Sequence, residues 1–355
     1  MKKIKLHVFN GMNYVYTKAL VDMFSENFAA EEQCFFVTDQ RCNMPETLAN
    51  NQRIFCWDNG RRKLDKLMKE ADFIVFHFLQ NDTRLLLKLW RNKKLLNKCV
   101  WRIWGADLYN WRFKRNLPFI GKLLNRIRFR VREHIPYVIL EPMDKPTYCE
   151  QFGENHIFLE GMNPKGYTPA FLDEHYFEKK DKEKWILIGH SAVPFVHHKL
   201  VLDKLSKFSN EELRVVLPLN YGNMQYAEEV KAYATERFKD KCLFIDKKLE
   251  LKEYVRLLWQ CDAAVFHSER QIAMANIIML MYMNKKIYLK RDSILYNFYT
   301  EEGATVFDSE KMETMDFEEL FAMTENDNKA YAETDMSLDV IVNSWKKTYE
   351  FLEEV

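Results

Sequence analysis

The residues best suited to chemistry in this chain fall just after short apolar runs, where a strand would give way to a loop. The most distinctive string is Trp101-Arg102-Ile103-Trp104-Gly105-Ala106-Asp107-Leu108-Tyr109. A carboxylate at Asp107, set among aromatics, could take a proton from an acceptor hydroxyl while the indoles of Trp101 and Trp104 stack on sugar faces. The same position also suits a turn Asp that caps the next helix. His77 ends the run Phe73-Ile-Val-Phe-His-Phe near Asn81 and Asp82. It is either a second proton acceptor, a donor to a leaving phosphate, or a satisfied core histidine. Asn10 and Gly11 end the first strand pattern, and a glycine there permits close backbone approach to a ligand.

The second half carries a different chemistry. Gly189-His190-Ser191 lies between a strand pattern and a helix pattern, so its amides and the Ser191 hydroxyl could hold a phosphate, with His198 placed one and a half turns into the following helix. Glu269-Arg270-Gln271 precedes an apolar helix whose first turn holds small residues, including Ala273 and Asn276. Free amides and the helix dipole favour an anion there, and a guanidinium adds a bidentate phosphate contact. Arg270 equally suits a surface ion pair. Pro218 and Tyr221, and Lys248 and Leu249, follow two further strand patterns, where Tyr221 could stack on a nucleotide base and the Lys248-Leu249 backbone could hydrogen-bond to it. The chain has no D-x-D pair, so a carboxylate clamp for a metal–diphosphate complex is missing and Arg270 with a helix terminus would neutralise a leaving diphosphate. The expectation is no cofactor and no obligatory metal.

Taken together, these strings resemble a known family. W-x-I-W-G-A-D-L-Y is similar to the signature of the TDP-N-acetylfucosamine:lipid II N-acetylfucosaminyltransferases, which build enterobacterial common antigen and related surface glycans. The likeness continues through Gly189-x-Ser191 and His198, Val216-Leu217-Pro218 with Tyr221, Lys248-Leu249-Glu250 through Tyr254 to Gln260-Cys261-Asp262, and Arg270-Gln271. The resemblance implies a GT-B fold, a nucleotide-diphosphate sugar donor and a polyprenyl-diphosphate-linked acceptor. Asn10, Gly11, Trp101, Trp104 and Tyr109 are then the acceptor-side candidates, with Asp107 and His77 as the catalytic pair. Retaining GT-B enzymes commonly place two Glu with seven residues between them in the Glu269 region. Here the second position is Ile277, which leaves the stereochemical outcome open.

The elements that must position these residues can be read from periodicity. Apolar runs at Ile4–Phe9, Cys34–Thr38, Phe73–Phe78, Val100–Ile103 and Tyr137–Leu140 alternate with helical patterns, the sign of βα units on a parallel sheet. A second set follows at Trp185–Gly189, Leu213–Pro218, Leu243–Ile245, Ala263–His267 and Lys286–Lys290. This predicts an α/β protein of two Rossmann-like domains facing a cleft: residues 1–160, a Gly- and Pro-containing linker at 161–182, a donor domain at 183–335, and a C-terminal helix at 336–355 that crosses back to the N-terminal domain.

Charge sets the partners of the two halves apart. Residues 1–150 hold 27 Lys and Arg against 16 Asp and Glu, and the rest hold 26 against 36, so a net charge of +1 divides into +11 and −10. The basic half suits anionic lipid or phosphate. Its densest stretch, Trp111 to His134, contains Arg112, Lys114, Arg115, Lys122, Arg126, Arg128, Arg130 and Arg132 against Glu133 alone, interleaved with Phe and Leu. It fits an anionic membrane surface, and a solvated basic helix or a nucleic-acid patch are the alternatives. The seven scattered cysteines form no C-x-x-C pair, and the N-terminus lacks an apolar signal region. The longest apolar runs fall short of the roughly 18–20 residues of a membrane span. A cytoplasmic protein peripheral to the inner membrane face is expected. A non-catalytic nucleotide-sugar scaffold and a capsule enzyme with another donor sugar are the rivals. That no G-x-G-x-x-G follows any strand run argues against classical dehydrogenase chemistry.

Overall fold

The computed structural model describes residues 3–11, 14–110, 119–180 and 182–355. The chain divides into two compact units, Met1–Gly166 with Leu338–Val355, and Tyr167–Ser337. Arg112, Lys114 and Arg115 lie outside the described residues.

In the first unit the strands β1 (Lys5–Phe9), β2 (Gln33–Val37), β3 (Ile54–Phe55), β4 (Phe73–His77), β5 (Cys99–Arg102), β6 (Tyr137–Ile139) and β7 (Ile157–Leu159) form one parallel sheet in the order β3-β2-β1-β4-β5-β6-β7. The central strands β1, β4 and β5 are buried on both faces, which is why they read as continuous apolar runs rather than alternating ones. The period of two decides which side chain meets which layer. Leu6, Val8, Ile74, Phe76 and Trp101 join a cluster with Ile127 and Val131 of the Phe119–His134 helix. Phe9, Phe73, Val75 and Val100 face the opposite layer, made by the Tyr14–Asn27 helix and the C-terminal helix Leu338–Glu354. That last helix buries Ile341, Val342, Trp345, Tyr349 and Leu352 on one stripe, each fully buried side chain of this kind contributing about 1.5–3 kcal/mol. The terminal helix therefore completes the core of the first unit.

The second unit repeats the plan with β8 (Lys184–Ile188), β9 (Leu213–Pro218), β10 (Cys242–Ile245), β11 (Ala263–Phe266), β12 (Lys286–Leu289) and β13 (Phe307–Asp308), parallel and ordered β10-β9-β8-β11-β12-β13. In each sheet the chain reverses direction of travel once, between β1 and β4 and between β8 and β11. Those switch points open the crevice where such sheets bind ligands, outside the carboxyl ends of the strands.

The segment 161–182 is not a loose connector. Met162 accepts from the Trp345 indole at 2.8 Å and donates its amide to Ser344 at 2.9 Å, both within the first unit. Beyond Gly166 the chain holds to the second unit. Tyr167 donates to the Ala275 carbonyl at 2.8 Å, Tyr282 donates to Asp173 at 2.7 Å, and Lys179 pairs with Asp262 at 2.5 Å.

Candidate functional site

The carboxyl edge of the first sheet is organised around Asp107. This residue lies in the short Ala106–Tyr109 helix after β5, where Gly105 takes the positive φ of 88° needed for the turn. One carboxylate oxygen of Asp107 accepts from the Leu79 amide at 3.0 Å and the Trp101 indole at 2.7 Å, and the other accepts from the Trp104 amide at 2.9 Å. The side chain is 3% exposed. Burial pushes its pKa up, while the three N–H donors and the nearby Arg132 guanidinium work against that rise. Arg132 is itself fully buried, lies 5.2 Å from the Trp101 ring centre, and donates to the Leu79 carbonyl at 3.1 Å and to Asn81 at 3.0 Å.

This geometry corrects two expectations. Asp107 is a latch joining the loop after β4 to the turn after β5, not a base open to an acceptor hydroxyl. Trp101 is a core side chain edge-on to Tyr148 and Phe152, with no face free for a sugar.

His77 is corrected on the same ground. As the last residue of β4 it points into the C-terminal-helix layer, fully buried, with its Nε2 2.9 Å from His7 Nδ1. His7 Nε2 in turn lies 2.8 Å from the Tyr349 hydroxyl, which donates to Gln33 at 2.7 Å. Burial, then His7 and Arg102, hold the His77 pKa well below its usual value. It is a neutral member of a buried polar chain, away from solvent. The remaining acceptor-side candidates sit at the edge itself. Trp104 is half-buried, edge-on to Tyr16 at 5.5 Å. Tyr109 donates to Asp144 at 2.7 Å. Asn10 is half-buried, and Gly11 packs so closely on Asp39 that a Cβ would lie 2.5 Å from it.

Two carboxyls at this edge escaped the sequence reading. Asp39, after β2, takes hydrogen bonds from Tyr14, Asn43 and the Gln40 amide. Burial alone would raise its pKa, but these donors hold it low. Asp144 follows β6, is 1% exposed, and has one carboxylate oxygen with no partner among the described residues. Burial raises its pKa to about 6, opposed by the Tyr109 hydrogen bond and reinforced by Glu141. Inspecting the residues after every strand, β6 included, would have reached it.

In the second unit the candidates converge on the β8/β11 switch point. Gly189 turns the chain with φ of 69°, its amide donating to the Val265 carbonyl at 2.9 Å. A Cβ there would lie 2.5 Å from Val196 and 2.8 Å from His198 Nε2, so only glycine fits. His198 opens the His198–Leu205 helix instead of sitting within it, because Pro194–Val196 forms a separate 3₁₀ turn. The ring is fully buried, with Nδ1 3.3 Å from the Tyr226 hydroxyl and Nε2 unpartnered among the described residues. Burial, then His190 and His197, lower its pKa to about 3. Ser191 is also buried, its hydroxyl 3.2 Å from His190 Nε2, so the turn offers a phosphate its backbone more readily than its hydroxyl.

Across the switch, β11 is followed by His267 and Ser268, both buried. Arg270 follows, half-buried, its guanidinium 3.8 Å from the centre of the Phe195 ring. Glu269 is exposed and pairs with Lys290 at 2.5 Å, so its charge is already committed. Gln271 is half-buried, Ala273 takes φ of 54° and caps the Met274–Tyr282 helix, and Asn276 hydrogen-bonds the Tyr254 side chain. Pro218 ends β9 and is buried. Tyr221, beyond it, is 52% exposed, with its ring 6.1 Å from that of His190. Lys248 is exposed and Leu249 half-buried after β10. Of the membrane candidates, Lys122 and Arg126 are exposed on the Phe119–His134 helix. Arg128 is 6% exposed and donates to the Asn81 carbonyl at 3.2 Å, so it braces the loop after β4 and faces no bilayer.

Two doubly wound parallel sheets, each with its switch-point crevice, are the two Rossmann-like units of a GT-B fold. The chain belongs to the 4-alpha-L-fucosyltransferases of glycosyl transferase group 56, whose family pattern matches residues 6–322. Among solved structures it is similar to Anabaena HepE in complex with UDP-glucose, at 12% identity over 98% of this chain and 100% of that one, with a TM-score of 0.69. A glycosyltransferase from Rickettsia africae ESF-5 matches at 11% identity over 99% and 98% of the two chains, with a TM-score of 0.65. The UDP-GlcNAc 2-epimerase of Neisseria meningitidis bound to UDP-GlcNAc matches at 12% identity over both whole chains, with a TM-score of 0.54. At such identities the likeness is one of fold. It is the family that makes this chain a transferase.

Proposed function

We propose that this enzyme moves a deoxyamino sugar from a nucleotide-diphosphate donor, such as TDP-N-acetylfucosamine, to a polyprenyl-diphosphate-linked glycan in surface-polysaccharide synthesis. The observation that carries the donor half is the pairing of Arg270, at the start of the apolar Met274–Tyr282 helix, with the glycine-only turn at Gly189 across the β8/β11 switch. A helix start, a glycine turn and a guanidinium suit a diphosphate and its growing charge as the sugar leaves. The HepE complex with UDP-glucose supports a nucleotide sugar as the ligand of this fold. With arginine and backbone dipoles in that role, transfer proceeds without a divalent metal.

On the acceptor side, Asp107 and His77 are committed to structure. An acceptor hydroxyl then needs a proton acceptor more exposed than either, at the carboxyl edge of the first sheet. The net charge of +11 on residues 1–150 supports a position on the anionic cytoplasmic face of the membrane, where a lipid-linked acceptor resides.

The test is a thermal-shift screen of nucleotide diphosphates and their sugars, followed by transfer to a prenyl-diphosphate acceptor in excess chelator. A donor at 100 times its Kd stabilises by about 2.7 kcal/mol. Stabilisation by a deoxyamino-sugar nucleotide and turnover in chelator are expected. Loss of all turnover in chelator, restored only by a divalent ion, would end the metal-free reading.

A further inference from the structure

One cavity of the first unit lies in the helix layer, away from the carboxyl ends of the strands. It is a groove of about 1160 Å³ between the Phe119–His134 helix and the pair Thr83–Arg91 and Lys93–Leu96, above the roughly 300–1,000 Å³ of ordinary small-molecule sites. Its apolar surface comes from Trp90, Leu96, Leu123, Ile127 and Phe129. Trp90 and Leu123 are 47% and 49% exposed, unusual for large apolar side chains on facing helices that pack together. Lys93, Lys122, Arg126 and Arg130 line the same groove, and only Glu133 opposes them, paired with Arg130 at 2.9 Å. His134 lines one end. Lys93, Lys122 and Arg126 have no ion-pair partner among the described residues. The other two cations of the helix, Arg128 and Arg132, turn inward to the loop after β4, so the helix separates structural from surface arginines.

Topology gives the groove a direction. The Thr83–Arg91 helix leaves the carboxyl end of β4 and the Phe119–His134 helix leads into the amino end of β6, so both run from the carboxyl edge of the sheet to its amino edge. Lys122 and Leu123 therefore lie near the edge where ligands of such sheets bind, and His134 near the opposite one. The stretch between Lys122 and His134 is about 18 Å long at 1.5 Å per residue. Beside Leu123, Phe119 and Ile120 continue the apolar surface, 81% and 68% exposed.

The geometry points to a binding groove for a single prenyl chain that carries a phosphate. The chain lies along Trp90, Leu96 and Leu123, the cationic rim meets the phosphate charge, and the chain leads its headgroup to the carboxyl edge. This deepens the lipid-linked-acceptor reading and rests on it, naming the part of the protein that takes the lipid. A flat membrane contact needs neither the depth of the groove nor its run from one edge of the sheet to the other.

The experiment titrates the full chain with monomeric geranylgeranyl monophosphate, read by tryptophan fluorescence and calorimetry, beside geranylgeraniol, inorganic phosphate and vesicles with and without phosphatidylglycerol. Saturable one-to-one binding of the prenyl phosphate is expected, at least tenfold tighter than the alcohol or free phosphate. Trp90→Ala with Leu123→Ser should weaken it tenfold or more. Lys122→Ala with Arg126→Ala should weaken it by about 25-fold, at roughly fivefold per cation. Both variants keep the thermal shift with donor nucleotide, because their residues are exposed and lie in the other unit. Binding to anionic vesicles with no saturable binding of the monomer overturns the groove and leaves the membrane reading standing. Binding to neither overturns both. Equal binding of the alcohol, or variants that bind as the wild type does, also overturns the groove. Prenyl phosphate binding without any sugar transfer keeps the groove and removes the acceptor reading instead.

Discussion

Replacing Asp107 with Asn separates the latch from a catalytic base. The carboxylate takes three donors, two on one oxygen and one on the other. An asparagine of nearly the same volume can keep its carbonyl oxygen toward Leu79 and the Trp101 indole. Its NH₂ then faces the Trp104 amide, donor against donor. One orphaned buried N–H costs about 1–3 kcal/mol. The substitution also removes the negative charge near the fully buried Arg132, which adds to that cost. A loss of about 1–3 kcal/mol is expected. In a unit of this size each kcal/mol moves Tm by about 2–4 °C, giving a fall of roughly 2–12 °C. Urea and thermal unfolding followed by tryptophan fluorescence measure it, since Trp101 and Trp104 sit at the latch. Donor binding, which belongs to the other unit, should survive at temperatures where the variant remains folded. A variant as stable as the wild type but without turnover would refute the latch and return Asp107 to the role of base.

Two further outcomes follow from the same geometry. Arg270→Ala should lower kcat/KM by about 10- to 150-fold, the loss of a charged hydrogen bond of about 1.5–3 kcal/mol to the donor diphosphate, with unchanged circular dichroism. An unchanged donor KM and kcat would remove the guanidinium from the site. His198 has a folded pKa of about 3 against 6.5 unfolded, so the unfolded chain binds the extra proton between these values. The second unit's stability should therefore be complete above pH 6.5 and fall by up to about 1.4 kcal/mol per pH unit as pH drops toward 3, and equal urea midpoints at pH 7 and pH 5 would contradict this.

What could be read from the sequence was set by the range of the interaction involved. Ten strand runs were visible because nine of them span four or more mostly apolar residues and the tenth, β6, is extended in sequence by the apolar Leu140, and the C-terminal helix because its apolar residues recur at helical spacing over 17 residues. The three strands that left no trace, β3, β7 and β13, are sheet edges of two or three residues, too short to show any period. Edge position itself explains the brevity, since a short edge strand offers little template to another chain.

The site was legible as a set of positions but not as a set of roles. Strand ends told us where Asp107, His77, Gly189 and Arg270 lie, since a polar residue after an apolar run marks the carboxyl edge of a parallel sheet. Whether such a residue faces a ligand or holds the edge together depends on partners remote in sequence. Asp107 meets Leu79, which is 28 positions away, and His77 meets His7 at 70 and reaches Tyr349 through it. Helix orientation was lost in the same way. Arg128 and Arg132 stand one turn apart, next to Ile127 and Val131 on the inward stripe, while Lys122, Arg126 and Arg130 point outward. A count of eight cations against one acid treats them alike. The carbonyls of Leu79 and Asn81, reached only once β4 and β5 pair, draw two of those arginines into the core and leave the others to face the groove.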